Sequence, residues 1–433
     1  MTTVETSRVP AASMDRRRWR SPIRGPWLTS VFGLVLLVGI PVELVTGLIS
    51  YAAYNPRLAG NDTTPRHGIL SFYLFDWVTS PGWIYRVSQG THVLLGLALV
   101  PVLLAKLWSV IPRLFAWPPL RSAAHLLERA SLVLLVGGAV FQFATGILNI
   151  DYDYSFRFSF YSGHVYGAWM FMAGFAVHVV LRFGRMWRSL GSRSVRADLS
   201  TNTSDTRPEP IAPGEEADSL VAADPDPPTI SRRGALALVG GGSVAVFLLT
   251  AGQSIHALRR LSLLSPRTQS YGSGPNAFQV NRTAAAADIS TGRVGPDWRL
   301  AVSAAGGGSV SLSRAELLSM PLVTADLPIA CVEGWSTLQR WTGVRLADLA
   351  CLVGAGQPTG AHVESLERHG AFAQASLSGH QVRASQSLLA LRVNGADLSL
   401  DHGYPARVIV PAAPGVHNTK WVARIIFTGG RLT

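Results

Sequence analysis

The sequence predicts a membrane all-α four-helix bundle and a fifth transmembrane helix, followed by a soluble domain outside the cytoplasm. The first observation is that the 433 residues are 48% hydrophobic and only 15% charged. The second is that the long apolar segments all lie within the first 252 residues. The third is that short strand-like runs, separated by Gly and Pro, fill the chain from about Asn276 onward.

The helical elements are predicted from the lengths of the apolar segments. Each of the first four can cross a hydrocarbon layer of about 30 Å at about 1.5 Å per residue. They are residues 28–50, 91–111, 126–150 and 164–183, and a shorter, glycine-rich fifth segment covers 235–252. We expect five regions: a basic N-terminus (1–27), a four-helix domain (28–190), a linker (191–230), the fifth helix (231–255) and a C-terminal domain (276–433).

The basic residues predict the orientation of these helices. The net charge of +12 comes largely from arginines at the N-terminus, between the second and third segments, and after the fourth. Positive residues concentrate on the cytoplasmic side of membrane proteins. We therefore expect a multi-pass protein of the cytoplasmic (inner) membrane, with a cytoplasmic N-terminus and an extracytoplasmic C-terminal domain. This distribution indicates that the excess positive charge faces membrane lipid, and it excludes a nucleic acid partner.

The linker is rich in Ser, Pro, Asp and Glu and has few large apolar residues, so we expect it to be disordered in the cytoplasm. It ends in "TISRRGALALVGGGSVAVFLL". Arg232 and Arg233, before a weakly apolar segment, resemble a twin-arginine export signal, which implies the twin-arginine export machinery as a partner. The alternative is that they only anchor the fifth helix on the inner side.

The first four apolar segments form an internal repeat. "LVLLVGIPVELVTGLIS" in the first resembles "LVLLVGGAVFQFATGILN" in the third, and "THVLLGLALV" in the second matches "GHVYGAWMFM" in the fourth. His92 and His164 therefore occupy equivalent positions on helices that lie diagonally across a bundle. Two such histidines can bind one haem iron from opposite sides. The alternative is that each histidine sits at the headgroup level and binds nothing.

A second haem is predicted less directly. His178 follows His164 by fourteen residues, which is about 21 Å and four helical turns on the same face. Its equivalent in the other hairpin is Lys106, so His125 is the substitute for the missing ligand. This four-helix region resembles the b-type membrane cytochromes, which implies haem b as a cofactor. His67 and His256 are interpreted as ordinary polar residues.

Cys331 lies in "PIACVEGWSTLQRWTGVRLADL", and the chain has only one other cysteine, Cys351. Three interpretations are open for Cys331: a nucleophile with a histidine base, a buried structural thiol, or a thiolate ligand of a soft metal. Cys351, in the apolar run "LADLACLVG", is expected to be a buried structural thiol.

The segment "CVEGWSTLQRWTGVRLADLA", together with "NGADLSLDHGYPARVIVPAAPGVHNTKWVARIIF", resembles the sulfite oxidase family over residues 278–430. This resemblance implies an α+β, sulfite oxidase-type molybdopterin-binding domain in which Cys331 coordinates molybdenum. It also implies a set of residues that hold the pterin and its phosphate: Asn281, Ser365, His402, Arg407, Asn418, Thr419 and Lys420.

Two departures from the family pattern matter. Basic residues follow the cysteine in the mitochondrial type, whereas "VEGWS" follows it here, which resembles the bacterial periplasmic branch that includes the catalytic subunit of methionine sulfoxide reductase. Pocket arginines are not marked by any motif, although Arg340, Arg368 and Arg383 are candidates.

These features together predict a membrane-anchored molybdenum-cofactor oxidoreductase that moves an oxygen atom to or from a small molecule outside the cytoplasmic membrane. Electrons would pass through the haem from or to the quinone pool. A reductase of S- or N-oxides is the first expectation. The alternatives are an oxidase of sulfite or another sulfur compound, a haem-free membrane-anchored binding module, and a thiol hydrolase that uses Cys331.

Overall fold

A computed structural model describes residues 20–58, 60–61, 75–114, 123–150, 157–211, 220–222, 224–267, 271–370 and 372–429. The expectations for His67 and for the most N-terminal arginines fall outside these residues, as does the side chain of His125. The chain divides into two compact units. The first comprises Met1–Pro41, Leu97–Ala144 and Gly167–Val246, and the second comprises Val42–Gly96, Thr145–Tyr166 and Phe247–Thr433.

Among the described residues, five helices are long and apolar enough to cross a membrane, with mean hydropathies of 1.4 to 2.3, which agrees with the predicted number of apolar helices. Their orientation relative to the cytoplasm stays a prediction. They are α1 (Pro26–Tyr54), α2 (Ile84–Leu114), α3 (Ala123–Ile150), α4 (Phe160–Gly191) and α6 (Arg232–Ala251), with the short helix α5 (Val195–Ser200) between the last two.

Small residues let the long helices approach closely within the first unit. A Cβ atom added to Gly138 in α3 would lie 2.9 Å from the Cβ atom of Phe171 in α4. A Cβ atom on Gly39 of α1 would likewise lie 2.7 Å from the side chain of Leu99 in α2. Close contact at small residues is the usual way in which helices pack in lipid.

Residues 192–211 differ from the expected disordered linker, because they fold into the first unit. Arg193 donates two hydrogen bonds of 2.8 Å to Asp198, which is only 4% exposed and whose pKa is lowered by this partner. Glu209 accepts a hydrogen bond of 2.9 Å from the Trp27 amide. Arg232 lies 3.7 Å from Asp198 and 3.9 Å from Glu209. The charges that predicted disorder therefore neutralise one another in a buried cluster.

Ten strands in the second unit form two five-stranded sheets, which agrees with the expected α+β domain. One sheet has the order β2-β1-β10-β5-β6, and the other has the order β3-β4-β7-β8 with β9 also paired to β7. The strands are β1 (Arg299–Ala304), β2 (Ser309–Ser313), β3 (Val323–Ala330), β4 (Ser336–Arg345), β5 (Gly360–Ser365), β6 (Gln374–Ser378), β7 (Leu388–Val393), β8 (Ala396–Asp397), β9 (Arg407–Ile409) and β10 (Val422–Thr428).

The two sheets share one apolar core. Leu300, Val363 and Ile425 from the first sheet and Leu389 and Val408 from the second are all 0% exposed in one cluster. Burying each such side chain contributes about 1.5–3 kcal/mol. Three short helices complete the core: α7 (Arg314–Ser319), α8 (Leu346–Leu352) and α9 (Gly379–Arg383). The ends of β3, β5 and β9 and the segment before β10 are thereby held rigidly, and these are the positions of the predicted site residues.

Candidate active site

Cys331 opens a tight turn directly after β3. Its amide donates to the Trp335 carbonyl at 3.0 Å, and its own carbonyl accepts from the Gly334 amide at 3.0 Å. Gly334 has a φ of +87°, a left-handed conformation that favours glycine. This turn, residues 331–335, is named the cysteine turn, and its closed hydrogen bonds fix the position of the thiol.

A buried ion pair supports the cysteine turn from within. Glu333 accepts hydrogen bonds of 3.0 and 3.3 Å from Arg267 and one of 2.8 Å from the Trp335 indole. Arg267 also donates to the Val280 carbonyl at 3.0 Å. Such a two-pronged arginine–carboxylate pair restricts both partners. The sequence "CVEGW" therefore forms a preorganised loop, as a metal-binding thiolate requires.

The environment of the Cys331 thiol argues against the nucleophile interpretation. The side chain is 7% exposed, and burial raises its pKa above the ordinary thiol value, with the nearby Glu333 carboxylate acting in the same direction. A thiol that stays protonated is a poor nucleophile. A bound metal ion, by contrast, deprotonates a coordinating thiol outright. The site therefore suits a thiolate ligand better than a hydrolase.

Five of the residues predicted to hold the cofactor are brought together in the second unit. Arg407 donates to the Asn418 carbonyl at 3.2 Å and to the His402 carbonyl at 3.4 Å. The Thr419 carbonyl accepts from the Val408 amide at 2.9 Å. The side-chain amine of Lys420 donates to the Asp401 carbonyl at 3.0 Å. All five of these residues are at most 4% exposed: His402, Arg407, Asn418, Thr419 and Lys420.

Arg407 and Lys420 are buried in this cluster, and the nearby Asp401 and Glu367 carboxylates offset the burial of Lys420 only in part. Burial lowers the pKa of Arg407 to about 9 and that of Lys420 well below its usual value. Burial and the neighbouring Arg407 lower the pKa of His402 to about 3, so this imidazole is neutral. Its ring stacks on that of Phe278, with the ring centres 3.7 Å apart. Buried cations are stable only when they are paired. A phosphate group would supply the missing charge.

Unsatisfied polar atoms mark where a ligand fits. His417 Nε2, Asn418 Nδ2 and Thr419 Oγ1 are buried without a hydrogen-bond partner among the described residues. Buried polar atoms nearly always have partners in folded proteins. Three consecutive exceptions beside two buried cations fit a polar, anionic cofactor such as a pterin phosphate.

Asn281 and Ser365 are placed beside this cluster. Ser365 Oγ donates to the Lys420 carbonyl at 2.7 Å. The Asn281 side chain accepts from the Arg282 amide at 2.9 Å, and the Arg282 carbonyl in turn accepts a hydrogen bond from the Lys420 amine. Both residues therefore position Lys420 in this structure.

His92 and His164 also come together, as the repeat predicts. Their ring centres are 6.2 Å apart and the ring planes are nearly perpendicular, at 83°. Each Nδ1 lies 3.0 Å from a threonine hydroxyl of the matching position, Thr46 for His92 and Thr145 for His164. This matching geometry fits the internal repeat.

His178 belongs to the first unit, whereas His92 and His164 belong to the second. It lines a cavity of about 680 Å³ together with Lys106, the residue that the repeat pairs with it. The Lys106 amine donates to the Thr29 carbonyl at 2.8 Å. A second haem at His178 therefore stays a prediction without a facing histidine among the described lining residues.

Several side chains differ from the sequence interpretation. Cys351 is exposed, so the expectation of a buried thiol is wrong. Arg340 pairs with Asp326 at 2.9 Å, Arg383 donates to the Pro358 carbonyl at 2.6 Å, and Arg368 is exposed. These hydrogen bonds direct Arg340 and Arg383 to their own partners instead of a common pocket.

Some residues near Cys331 were missed by sequence reasoning. Tyr54, Tyr85 and Tyr161, at the ends of α1, α2 and α4, pack in one cluster with Ala330 and Val332, the two neighbours of Cys331. His417 contacts Tyr54, with ring centres 5.7 Å apart. Tyrosines at helix ends are common in membrane proteins, so no separate signal marked these three in the sequence.

Comparison with known protein families concerns the C-terminal domain. Residues 288–431 match the family described as "Oxidoreductase molybdopterin binding domain". Mitochondrial sulfite oxidase of Homo sapiens is 34% identical over 152 residues, which cover 29% of this chain and 28% of that protein. The uncharacterized oxidoreductase YuiH of Bacillus subtilis is 31% identical over 132 residues, which cover 30% of this chain and 65% of that protein.

Among solved structures, the sulfane dehydrogenase SoxCD from Paracoccus pantotrophus is similar at 22% identity over 32% of this chain and 39% of that chain, with a TM-score of 0.29. The present chain spans about 28% of the length of the mitochondrial sulfite oxidases that it matches. The C-terminal domain thus matches a molybdopterin-binding oxidoreductase domain and is similar to part of the sulfite oxidases, which supports the predicted molybdenum cofactor.

Proposed function

We propose that this protein is a membrane-anchored molybdenum-cofactor oxidoreductase that transfers an oxygen atom to or from a small molecule outside the cytoplasmic membrane. The observation that carries the proposal is the cysteine turn in the same domain as a buried cluster of cations and unsatisfied polar atoms. The family match of residues 288–431 supports it.

The chain's own residues divide the work of holding the cofactor. Cys331 supplies the thiolate for molybdenum, while Arg407 and Lys420 bind the phosphate and the polar atoms of Asn418 and Thr419 bind the remaining edge. Neutral His402, stacked on Phe278, forms a flat and dry wall. When bound, the cofactor supplies two-electron oxygen-atom chemistry. The buried cluster excludes water from the phosphate and from the thiolate.

A b-type haem between His92 and His164 is the second part of the proposal. With a metal–nitrogen bond of about 2 Å on each side, two imidazoles on one iron have ring centres about 6 Å apart. The observed 6.2 Å supports this arrangement. His92 Nδ1 faces two acceptors on Glu43, the carbonyl and a carboxylate oxygen, both at 3.1 Å. Nδ1 therefore carries the proton, and Nε2 keeps the lone pair that a metal needs.

The remaining parts of the proposal concern partners and location. The positive-inside pattern supports an extracytoplasmic catalytic domain in the inner membrane. Arg232 and Arg233 support export of a folded domain by the twin-arginine machinery. Quinone is the proposed membrane partner, because a haem in an apolar bundle needs a lipid-soluble electron donor or acceptor.

Reduction of S- or N-oxides is the first candidate for the direction of the reaction, because no basic residue follows Cys331 in the cysteine turn. Oxidation of sulfite or another sulfur compound is the second candidate, favoured by the similarity of the C-terminal domain to mitochondrial sulfite oxidase. The two are distinguished by whether the purified protein oxidises a quinol analogue with an oxide as acceptor, or reduces a quinone analogue with sulfite as donor.

The experiment that tests the proposal is the molybdenum and haem content of the detergent-purified protein, with and without Cys331→Ser. We expect one molybdenum per chain and at least one b-type haem in the unsubstituted protein. Cys331→Ser should abolish oxygen-atom transfer and leave haem unchanged. Haem without molybdenum, after expression in a host that makes the cofactor, would contradict the catalytic assignment. Absence of both would favour the binding-module alternative.

A further inference from the structure

Three tyrosines from the apolar helices converge on the cysteine turn. Tyr54 is the last residue of α1, Tyr85 is the second residue of α2, and Tyr161 is the second residue of α4. They pack with Ala330, Val332 and Val416 in one buried cluster, in which Tyr54 is 2% and Tyr85 is 1% exposed. The helices therefore cover the cysteine turn with aromatic rings that carry hydroxyl groups.

Two of the three hydroxyls, those of Tyr54 and Tyr161, lie together. The Tyr54 and Tyr161 hydroxyls are 3.3 Å apart and their ring centres are 5.2 Å apart. The ring of His417, whose Nε2 has no partner among the described residues, is 5.7 Å from the ring of Tyr54. All three rings belong to the buried cluster that contains Ala330 and Val332, the residues on either side of Cys331 in the chain.

This cover is fixed in place by hydrogen bonds between the helical ends and the catalytic domain. Arg86 in α2 donates to the Ser336 hydroxyl and to the Ser254 carbonyl, both at 3.0 Å. The Trp77 indole, just before α2, donates to the Ala412 carbonyl at 2.8 Å. These hydrogen bonds therefore fix the start of α2, which carries Tyr85, to the domain that contains the cysteine turn.

The hydroxyls of Tyr54 and Tyr161 and the ring of His417 carry no formal charge of their own. Arg267, the cation that supports the turn, is neutralised by Glu333 at 3.0 Å. Burial lowers the pKa of His417 to about 4, so its ring is neutral at neutral pH. Hydroxyl and imidazole groups without formal charge can donate hydrogen bonds to an oxygen atom, but they do not compensate a dianion.

We propose that Tyr54 and Tyr161, with His417, form the substrate wall of the active site and that this wall selects an uncharged, dipolar oxide of sulfur or nitrogen over an oxyanion. The inference rests on the proposed molybdenum function and names its substrate class. The transmembrane half thus supplies specificity-determining residues in addition to anchoring the domain. The bound oxygen of the substrate accepts hydrogen bonds from the phenols beside Cys331.

The test compares Tyr54→Phe and Tyr161→Phe with Tyr51→Phe in the full-length, cofactor-loaded protein. Tyr51 lies one turn before Tyr54 on α1 and is not a member of the buried cluster that contains Ala330 and Val332. Dimethyl sulfoxide is the neutral probe and sulfite is the anionic probe. Binding of each to the oxidised protein is measured by equilibrium thermal shift, together with molybdenum content and steady-state KM.

We expect unchanged molybdenum in all three variants. Loss of one hydrogen bond should weaken binding of dimethyl sulfoxide by roughly 2- to 10-fold in Tyr54→Phe and Tyr161→Phe. Tyr51→Phe should bind as the unsubstituted protein does. Tighter binding of sulfite than of dimethyl sulfoxide, or equal behaviour of all three variants, would overturn the substrate-wall proposal alone. An unsubstituted protein that lacks molybdenum would overturn the proposed function itself.

Discussion

The Gln89 side-chain amide donates a hydrogen bond of 2.8 Å to the carbonyl of Val332, the residue after Cys331. Gln89 and Val93 are one turn apart on α2 and share a face. A Cβ atom added to Gly334 would lie 2.6 Å from the side chain of Val93. The helix that carries His92 therefore also holds the cysteine turn in shape. The proposed haem ligand His92 is thus linked to the proposed molybdenum ligand Cys331 through the α2 backbone and the hydrogen bond from Gln89 to Val332.

Gly334→Ala should disrupt the site. The new methyl group would meet Val93, and the residue would keep a φ of +87° that alanine disfavours. Strain of this kind costs on the order of 1–3 kcal/mol. We expect a lower midpoint of thermal unfolding and a several-fold loss of molybdenum from the purified protein.

The matched control is Gly354→Ala, where φ is +75° and no atom lies within 4 Å of the added methyl group. It carries the backbone strain without the contact with α2. Equal molybdenum content in the two variants would show that the approach of Val93 has no effect on the cysteine turn.

Removal of the cofactor should destabilise the protein. Buried Arg407 and Lys420 would keep lowered pKa values, and no phosphate would pair with them. A ligand that binds only the folded state stabilises it by about 4 kcal/mol at 1,000 times its dissociation constant. Protein made in a host without the cofactor pathway should therefore unfold several degrees lower than the loaded protein.

Lys420→Met should reduce this difference between loaded and cofactor-free protein. The control is Arg424→Gln, which removes a half-exposed cation on β10 paired with Glu364 at 3.4 Å. A cofactor-dependent shift that survives Lys420→Met at full size would exclude Lys420 from the phosphate site.

The Arg193–Asp198 pair should make the first unit sensitive to acid. The pKa of Asp198 is lowered in the folded state. Its stabilisation is therefore complete above the unfolded carboxyl pKa of about 3.9 and is lost as the pH falls through the lower folded value. Asp198→Asn should lower stability by about 1 kcal/mol at pH 7 and by progressively less below pH 4.

The measurement is the unfolding midpoint in detergent at neutral and acidic pH. Asp224→Asn is the control, because the Asp224 side chain is 87% exposed in its pair with Arg20. A loss that is the same at both pH values would mean that the Asp198 carboxylate does not carry the effect.

His92→Leu and His164→Leu should each abolish the reduced-state absorption band of the outer haem. Thr46→Val should keep the haem and shift its midpoint potential, because the imidazole loses its 3.0 Å partner at Nδ1. His178→Leu serves as the control, since this residue lies in the other compact unit. Retention of the full band in His92→Leu would remove His92 from the haem site.

Cys351 allows a direct test of the predicted orientation. It is exposed, whereas Cys331 is buried. If the C-terminal domain is extracytoplasmic, a membrane-impermeant maleimide should label intact spheroplasts, and Cys351→Ser should remove the labelling. Labelling that requires lysis of the cells would place the domain in the cytoplasm.

Much of the site was predictable because its residues lie in short, continuous motifs. Cys331 and the segment Asn418 to Lys420 stand in continuous motifs, and the resemblance of these motifs to the sulfite oxidase family predicts their roles. The pairing of His92 with His164 followed from the repeat. In each case, the relevant relationship is local or is repeated along the chain.

Relationships between distant segments were not predictable in this way. The ion pairs of Asp198 and Glu209 depend on Arg232, so the composition of the linker alone indicated disorder. The approach of Tyr54 to His417 joins residues that are hundreds of positions apart. The exposure of Cys351 could have been predicted from the sequence. In α8, Leu346, Leu349 and Ala350 face the core at helical spacing, which leaves Cys351 outside.

Because Gln89 and Val93 of α2 contact the cysteine turn, the apolar helices cannot be replaced by another anchor without affecting the catalytic domain. Grafting this catalytic domain onto another anchor would leave Gly334 and the Val332 carbonyl facing foreign side chains. A chimera would need to carry the Gln89–Val93 face with it. By the same reasoning, a substitution on the Gln89–Val93 face of α2 requires a compensating substitution in the cysteine turn, so we expect the two segments to evolve together.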